Sequence, residues 1–209
     1  MSFRTDPPDI VMRHGAFLPH WTREQAVYAV TFRLADSLPQ SVLSAWLQER
    51  EEIVELARRQ GRPLSVNEED RLRELHSEKV ESYLDAGHGV CHLRDPRVAE
   101  MMGEEFRYFS GERYALHAWC VMPNHVHVVV EPREARPLSE ILHSWKSFTA
   151  KAANRILERT GLFWMPEYYD HLIRDGAEYE HALRYIEDNP RRAGLEEWPW
   201  VFVARATRP

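Results

Sequence analysis

Residues 114–122 and 125–131 are two runs rich in β-branched and aromatic residues, separated only by Pro123-Asn124. So short a break joins them as an antiparallel hairpin, and the remaining elements must be arranged around that pair. The second run begins His125-Val126-His127 and continues Val128-Val129-Val130-Glu131. Side chains alternate along a strand, so both imidazoles leave from one face. Such a pair is half of a metal site, or else a solvated strand face that carries two histidines. Glu131 shares the face but lies ~13 Å beyond His127 at about 3.3 Å per residue, which makes it a poor third ligand.

Around the hairpin, residues 26–34 read as an earlier strand that ends in the turn residues 35–39. Residues 41–60 carry Val42, Leu43, Trp46, Leu47, Ile53, Val54 and Leu56 at helical intervals until Gly61-Arg62-Pro63 stops them. Ser65-Val66-Asn67-Glu68 has the form of a capping box and starts a second helix running to about Leu84. Residues 85–95 are loop-like, and Pro96 is placed to begin a helix to about Phe109. Residues 138–159 are amphipathic, 163–170 form an aromatic loop, 171–174 a short strand, and 177–188 a helix ended by Pro190. The core order is βαββαβ plus a C-terminal helix, which predicts an α+β fold with a ferredoxin-like antiparallel sheet.

The 209 residues are 44% apolar, enough for one well-buried domain over 1–209 with the helices of 41–85 as an insertion. The first residues lack the apolar core of a secretory signal. No stretch approaches the roughly 18 apolar residues a membrane helix needs, so the expected location is the cytoplasm. Cys91 and Cys120 have no paired spacing for zinc or a disulfide framework. A net charge of −6 argues against a broadly basic nucleic-acid surface. Residues 41–85 nevertheless hold eleven Asp or Glu against seven Lys or Arg, so the remainder is close to balanced and can present a basic face.

The chemistry concentrates in the C-terminal helix, where His181, Tyr185 and Asn189 follow one another at four-residue steps on one face. Two imidazoles and one neutral oxygen leave open positions, a donor set suited to Mg²⁺ or Mn²⁺ gripping a phosphate. Tyr185 on the adjoining helix would then be a nucleophile at phosphorus, the alternative being an ordinary core aromatic. With a free pKa of about 10, a phenol is only about 0.1% ionised at neutral pH, so something must help it lose its proton. His181 can orient the phenol, accept that proton or contact DNA, and reads equally well as a surface residue.

Three segments, in order, resemble one family: Val-Met-Pro-Asn-His-Val-His-Val-Val-Val at 121–130, Phe-Trp-Met-Pro-Glu-Tyr-Tyr-Asp at 163–170, and Tyr-Ile-Glu-Asp-Asn-Pro-Arg-Arg-Ala-Gly-Leu at 185–195. They are similar to the REP-associated tyrosine transposases, domesticated relatives of the single-tyrosine HUH transposases. The resemblance implies an HUH endonuclease core with His125 and His127 as metal ligands, Tyr185 as nucleophile and Asn189 as third ligand. It also implies a substrate of single-stranded DNA whose imperfect palindromes fold as hairpins, with the protein left on the 5′ end. Lys146, Lys151, Arg155, Arg174, Arg191 and Arg192 are candidate phosphate contacts or plain surface charges. Trp164, Tyr168 and Tyr169 are candidate stacking platforms, worth about 1–3 kcal/mol per base, or residues that pin their loop to the core. Asp170 and His171 either line the site or cap a turn, while His88, Cys91 and His92 read as a structural loop. A non-cutting hairpin-DNA-binding protein and a water-using metallo-phosphodiesterase remain alternatives, as do a monomer and a homodimer.

Overall fold

Tyr28, Val30 and Phe32 are buried and alternate with the partly exposed Ala29, Thr31 and Arg33, the two-residue period of a strand with unlike faces. The computed structural model describes residues 11–14, 19–22, 26–62, 64, 65, 67, 68, 71, 80–133 and 136–204. It divides into two compact units, residues 1–35 with 92–209 and residues 36–91.

In the first unit, β1 (Val11–His14) and β2 (Pro19–Thr22) form a separate antiparallel pair that the sequence pattern did not suggest. The main sheet contains β3 (Tyr28–Arg33), β4 (Tyr114–Val121), β5 (His125–Pro132), β6 (Tyr169–Leu172) and β7 (Val201–Val203). Its order is β6-β3-β5-β4-β7, with every neighbouring pair antiparallel. The first four strands give the ferredoxin-like arrangement expected from the βαββαβ order. The fifth, β7, was not legible, because three residues after Pro199 are too few for a period to show.

One sheet face carries Val126, Val128 and Val130 beside Tyr28, Val30 and Phe32. It is covered by Val98, Met102 and Phe106 of α3 (Pro96–Tyr108) and by Ile141, Leu142 and Trp145 of α4 (Leu138–Ile156). The other face packs Ala118, Cys120 and Val129 on Ile186 of α5 (Gly176–Arg192). Helices on both sides explain why β5 is apolar at 126, 128, 129 and 130 rather than alternating. Trp145 is 1% exposed, donates its indole N–H to Tyr114 Oη at 3.0 Å and meets Phe106 edge-on. Trp145→Ala is expected to cost about 3–5 kcal/mol of stability, read as a lower urea midpoint at unchanged slope.

Element boundaries differ from the sequence reading in two informative places. Helix α5 does not stop before Pro190 but runs through it to Arg192, closing on Ala193 N–H to Asn189 O at 3.1 Å. Proline near a helix end sacrifices one backbone bond, and burial of Pro190 and Asn189 against the sheet offsets that loss. The strand expected at 171–174 is observed at Tyr169–Leu172, where pairing with Tyr28–Thr31 of β3 sets its limits.

The second unit, residues 36–91, contains the segment read as an insertion. Its α1 spans Gln40–Arg59 and α2 spans Glu81–Asp85, with Leu38, Val80 and Leu84 buried together beside Trp46 and Tyr83. The capping box forms: Ser65 N–H donates to Glu68 Oε2 at 2.8 Å and Glu68 N–H reaches back to Ser65 Oγ at 3.4 Å. Much of the helix expected from Ser65 to Leu84, including 72–79, lies outside the described residues. The ends of the unit meet where Val90 N–H donates to Asp36 Oδ2 at 2.9 Å. Gly89, with φ +87°, is required there, since a Cβ would stand 2.6 Å from the Asp36 carbonyl oxygen.

Candidate active site

The connection between β4 and β5 is held by three backbone hydrogen bonds. Met122 N–H donates to His125 O at 2.9 Å, Leu34 N–H to Asn124 O at 2.8 Å and Leu93 N–H to Pro123 O at 3.1 Å. A fixed turn fixes the histidines that follow it. His125 is fully buried and His127 is 4% exposed, both on the sheet face that packs against α5. Their Nε2 atoms face each other at 2.9 Å. Each ring is oriented from behind: His125 Nδ1 lies 2.7 Å from Asn124 Oδ1, and His127 Nδ1 lies 2.8 Å from Thr31 Oγ1.

Burial, and then the neighbouring His127, push the His125 pKa well below the ordinary imidazole value. Burial and then the Arg192 charge push that of His127 down to about 3. Both rings are therefore neutral at physiological pH, as imidazole ligands must be. Asn124 Oδ1 accepts, so His125 Nδ1 carries its proton and His125 Nε2 presents a lone pair. Thr31 Oγ1 can donate or accept, so His127 can turn its Nε2 into either a donor to His125 or a second lone pair.

Helix α5 supplies the rest. Tyr185, Asn189 and Arg192 stand at i, i+4 and i+7, the spacing of one helix face. The Tyr185 ring meets the His127 ring edge-on, centroids 5.2 Å apart at 90°. Asn189 is fully buried, with Nδ2 3.5 Å from His127 Nε2. Its Oδ1 is buried with no hydrogen-bond partner among the described residues, an arrangement that normally calls for a missing partner. The Arg192 guanidinium carbon lies 5.1 Å from the centroid of the Tyr185 ring. Two imidazole nitrogens and the Asn189 carboxamide, its nitrogen toward His127, are thus gathered beside the Tyr185 ring. Among the described residues no group of three His, Cys, Asp or Glu is gathered for a metal, so any ion here would be held by neutral donors. That set fits a divalent cation with positions left for oxygens from elsewhere.

The other expected residues divide. His181 is exposed one turn before Tyr185 and makes no hydrogen bond or ion pair among the described residues. Arg174 and Arg191 are exposed, Arg191 beside Asp188 at 3.1 Å, and Lys151 and Arg155 are exposed on α4. Tyr169 pairs with Thr31 in register and so shares the imidazole face. Trp164 is 3% exposed, donates to Thr149 Oγ1 at 2.9 Å and packs edge-on to Phe32, so its ring is core and has no face to offer a base. Lys146 donates to Pro166 O at 2.6 Å and lies over the Tyr168 ring, which makes it first a clamp on the aromatic loop. His171 reaches Glu178 at 3.3 Å, and Asp170 is buried in register with Val30 on the opposite sheet face. Glu131 faces His117 at 3.4 Å rather than the imidazole pair. Cys91 donates to Gly87 O, His88 lies beside Tyr83 and His92 stacks on Phe163, a structural loop as expected.

Thr31 and Asn124 were missed. Asn124 adjoins His125 but reads as a turn residue, and Thr31 reaches His127 only through the pairing of β3 with β5.

A family model described as Transposase IS200 like matches residues 94–189, a stretch that includes His125, His127, Tyr185 and Asn189. That stretch, somewhat under half of the chain, is thus similar to the IS200-like transposases. The segment's relatives include the REP-associated tyrosine transposase of Escherichia coli K12, 26% identical over 98 residues, covering 44% of this chain and 56% of the relative. A putative REP-associated tyrosine transposase of Haemophilus influenzae Rd is also 26% identical, over 102 residues, covering 42% of this chain and 58% of the relative. The matched region thus spans little more than half the length of these curated relatives. A solved REP-associated tyrosine transposase bound to a REP hairpin superposes with a TM-score of 0.51 at 14% identity, covering 87% of this chain and 79% of that one. This chain and that structure therefore have the fold in common.

Proposed function

We propose that this chain is a metal-dependent endonuclease and strand transferase for single-stranded DNA, a transposase acting on hairpin-forming palindromic repeats through a 5′-phosphotyrosine intermediate. The observation that carries the reading is that the Tyr185 ring, the two imidazole Nε2 atoms and the buried Asn189 carboxamide, whose oxygen has no partner among the described residues, lie together. His125, His127 and Asn189 would hold Mg²⁺ or Mn²⁺. When bound, such an ion polarises a phosphoryl oxygen, an effect worth several kcal/mol. Asn124 sets the tautomer of His125, and Asn124 and Thr31 together hold the orientation of the two rings. The Tyr185 oxygen forms a bond to phosphorus as the bond to the preceding 3′ oxygen breaks. That oxygen leaves as a 3′ hydroxyl, and the phenol's proton is given up to it through solvent or a neighbouring base. Arg192 supplies positive charge beside the phenol as negative charge gathers on the phosphate. The phosphotyrosine conserves the bond energy, so rejoining to another 3′ hydroxyl needs no nucleotide cofactor. Among the described residues no helix is long and apolar enough to cross a membrane. The proposed setting is cytoplasmic DNA, with the protein as a monomer or homodimer.

The test is to incubate the protein and Mn²⁺ with end-labelled single strands carrying imperfect palindromes and resolve the products under denaturing conditions. A protein-linked 5′ fragment, mapped to Tyr185 by peptide sequencing, is the expected result. Cleavage without an adduct would point to a water-using phosphodiesterase, and binding without cleavage to a hairpin-binding protein. Thr31→Val, which removes only the hydroxyl behind His127, is expected to weaken metal activation about 10- to 100-fold, read as a shift in the Mn²⁺ concentration giving half-maximal cleavage.

A further inference from the structure

Helix α5 is seated unevenly. Its buried residues are Ile186, Asn189 and Pro190, all in the half that follows Tyr185, and none lies between Gly176 and Tyr185. Toward its start, Tyr179, Ala182 and Leu183 are only partly buried against the sheet. Apolar contact is non-directional and leaves a helix free to roll or tilt by small amounts. One directional contact opposes that freedom: Tyr179 Oη lies 3.1 Å from His117 Nδ1 on β4, the rings edge-on with centroids 5.4 Å apart. The other tie of the first turn is Glu178, which reaches His171 on β6 at 3.3 Å and accepts from Arg174 N–H at 2.8 Å. Glu178 thus holds the helix to the segment it grows from, while Tyr179 holds it to β4.

His117 is available because β4 bulges there. Leu116 pairs with Val130 and Ala118 with Val129, so His117 is the extra residue with no partner on β5. A bulge disrupts the ladder and re-aims a side chain, and this one turns a buried imidazole toward α5. On its other side, His117 Nε2 stands 3.4 Å from Glu131 Oε2, within ion-pair range and long for a hydrogen bond. Burial, opposed by the Glu131 charge, holds the His117 pKa below the ordinary imidazole value, so the ring is neutral at physiological pH. A neutral imidazole carries one proton. The carboxylate draws it to Nε2, which leaves Nδ1 to accept from the Tyr179 hydroxyl. Burial first, then the Glu180 and Glu131 charges, raise the Tyr179 pKa, so the phenol keeps the proton it donates. The two ring nitrogens face different partners, and the three residues form a chain rather than a cage for an ion.

We propose that His117 and Tyr179, with Glu131 behind them, are positioning residues for Tyr185: their hydrogen bond fixes the first half of α5 on β4 and so the placement of the phenol beside His127. This rests on the phosphotyrosine reading above and adds to it the contact that aims the nucleophile. Tyr185 stands about 9 Å along the axis from Tyr179, at the boundary between the half held by buried side chains and the half held by this bond. Asn189 lies in the buried half, so the proposed ion site keeps its shape when the bond is lost, while the phenol shifts. Misplacing a reacting atom by about 1 Å can cost about 100-fold in rate.

The test is single-turnover cleavage of a palindromic single strand at saturating strand and Mn²⁺, beside calorimetric binding of Mn²⁺ and binding of the same strand without metal. Tyr179→Phe keeps the ring and removes the hydroxyl. It is expected to lower the cleavage rate about 10- to 100-fold, while both affinities stay within about twofold. His117→Leu should match it, and His117→Asn, which sets an acceptor oxygen near the place of Nδ1, should recover most of the rate. The double variant Tyr179→Phe/His117→Leu should be no slower than either single one, because both remove the same bond. All are compared below their urea midpoints, and the pair His117→Leu and His117→Asn carries the test should Tyr179→Phe not fold. A wild-type rate in Tyr179→Phe, whatever its stability, or equal rates in the two His117 variants, overturns the positioning role and leaves the proposed function standing. Loss of Mn²⁺ or strand binding in step with the rate also overturns it, since the bond would then support the whole site. A wild type that forms no protein-linked product from palindromic strands overturns both.

Discussion

Tyr185→Phe is expected to eliminate the protein-linked DNA product and to lower strand cleavage by roughly 10⁴-fold or more, as removal of a sole nucleophile does. The substitution deletes one oxygen and keeps the ring that meets His127 edge-on at 5.2 Å. Folding should therefore be unaffected, and binding of an uncleaved hairpin should stay within about twofold, well inside the effect of one neutral hydrogen bond. The separation of the two readouts is what makes the measurement decisive. If cleavage persisted in Tyr185→Phe with no adduct in either protein, water would be the nucleophile and the tyrosine an ordinary helix aromatic. Full loss of binding would instead show that the phenol is needed for assembly of the site.

His127→Ala is expected to be as damaging to cleavage, with a different signature. It removes one of three proposed donors, the partner of Thr31 Oγ1 and the ring against which Tyr185 packs. Cleavage should fall by roughly 10³-fold or more, because both the ion and the nucleophile lose their positioning. Raising Mn²⁺ should not restore it. In the wild type, chelation should abolish cleavage and added Mn²⁺ or Mg²⁺ should return it fully. Calorimetric titration with Mn²⁺ checks the same point without relying on activity: heat of binding in the wild type and none in His127→Ala. Equal binding in the two proteins would remove His127 from the ligand set. His125→Ala should behave in parallel, with an added loss of stability, since His125 is fully buried and Asn124 Oδ1 would lose its partner.

The split between what the sequence set and what folding set runs along one physical line. Periodicity and local turn chemistry act within a few residues, and most of what they govern was legible, the short strands β1, β2 and β7 excepted. Alternation along 125–131 put His125 and His127 on one face, helical spacing put Tyr185 and Asn189 on another, and the βαββαβ order implied the sheet in which those faces meet. Pro96 was placed to open α3, and it does, with Asp95 before it accepting from Arg97 N–H as a helix cap. What depended on partners distant in sequence could not be read locally. Thr31 orients His127 from 96 residues away because β3 happens to lie beside β5 in a particular register. Trp164 and Tyr169 belong to one aromatic stretch, yet the fold buries the first beneath α4 and leaves the second on the imidazole face. Lys146 reads as one surface charge among several until the 163–168 loop offers it two carbonyls. Pro190 signals a helix end by its own chemistry, and packing carries the helix past it. A residue's type and its neighbours in the chain fix which side of an element it occupies. Only the pairing of strands and the closing of helices over them decide what that side faces, because those contacts join segments whose order in the chain says nothing of their distance in space.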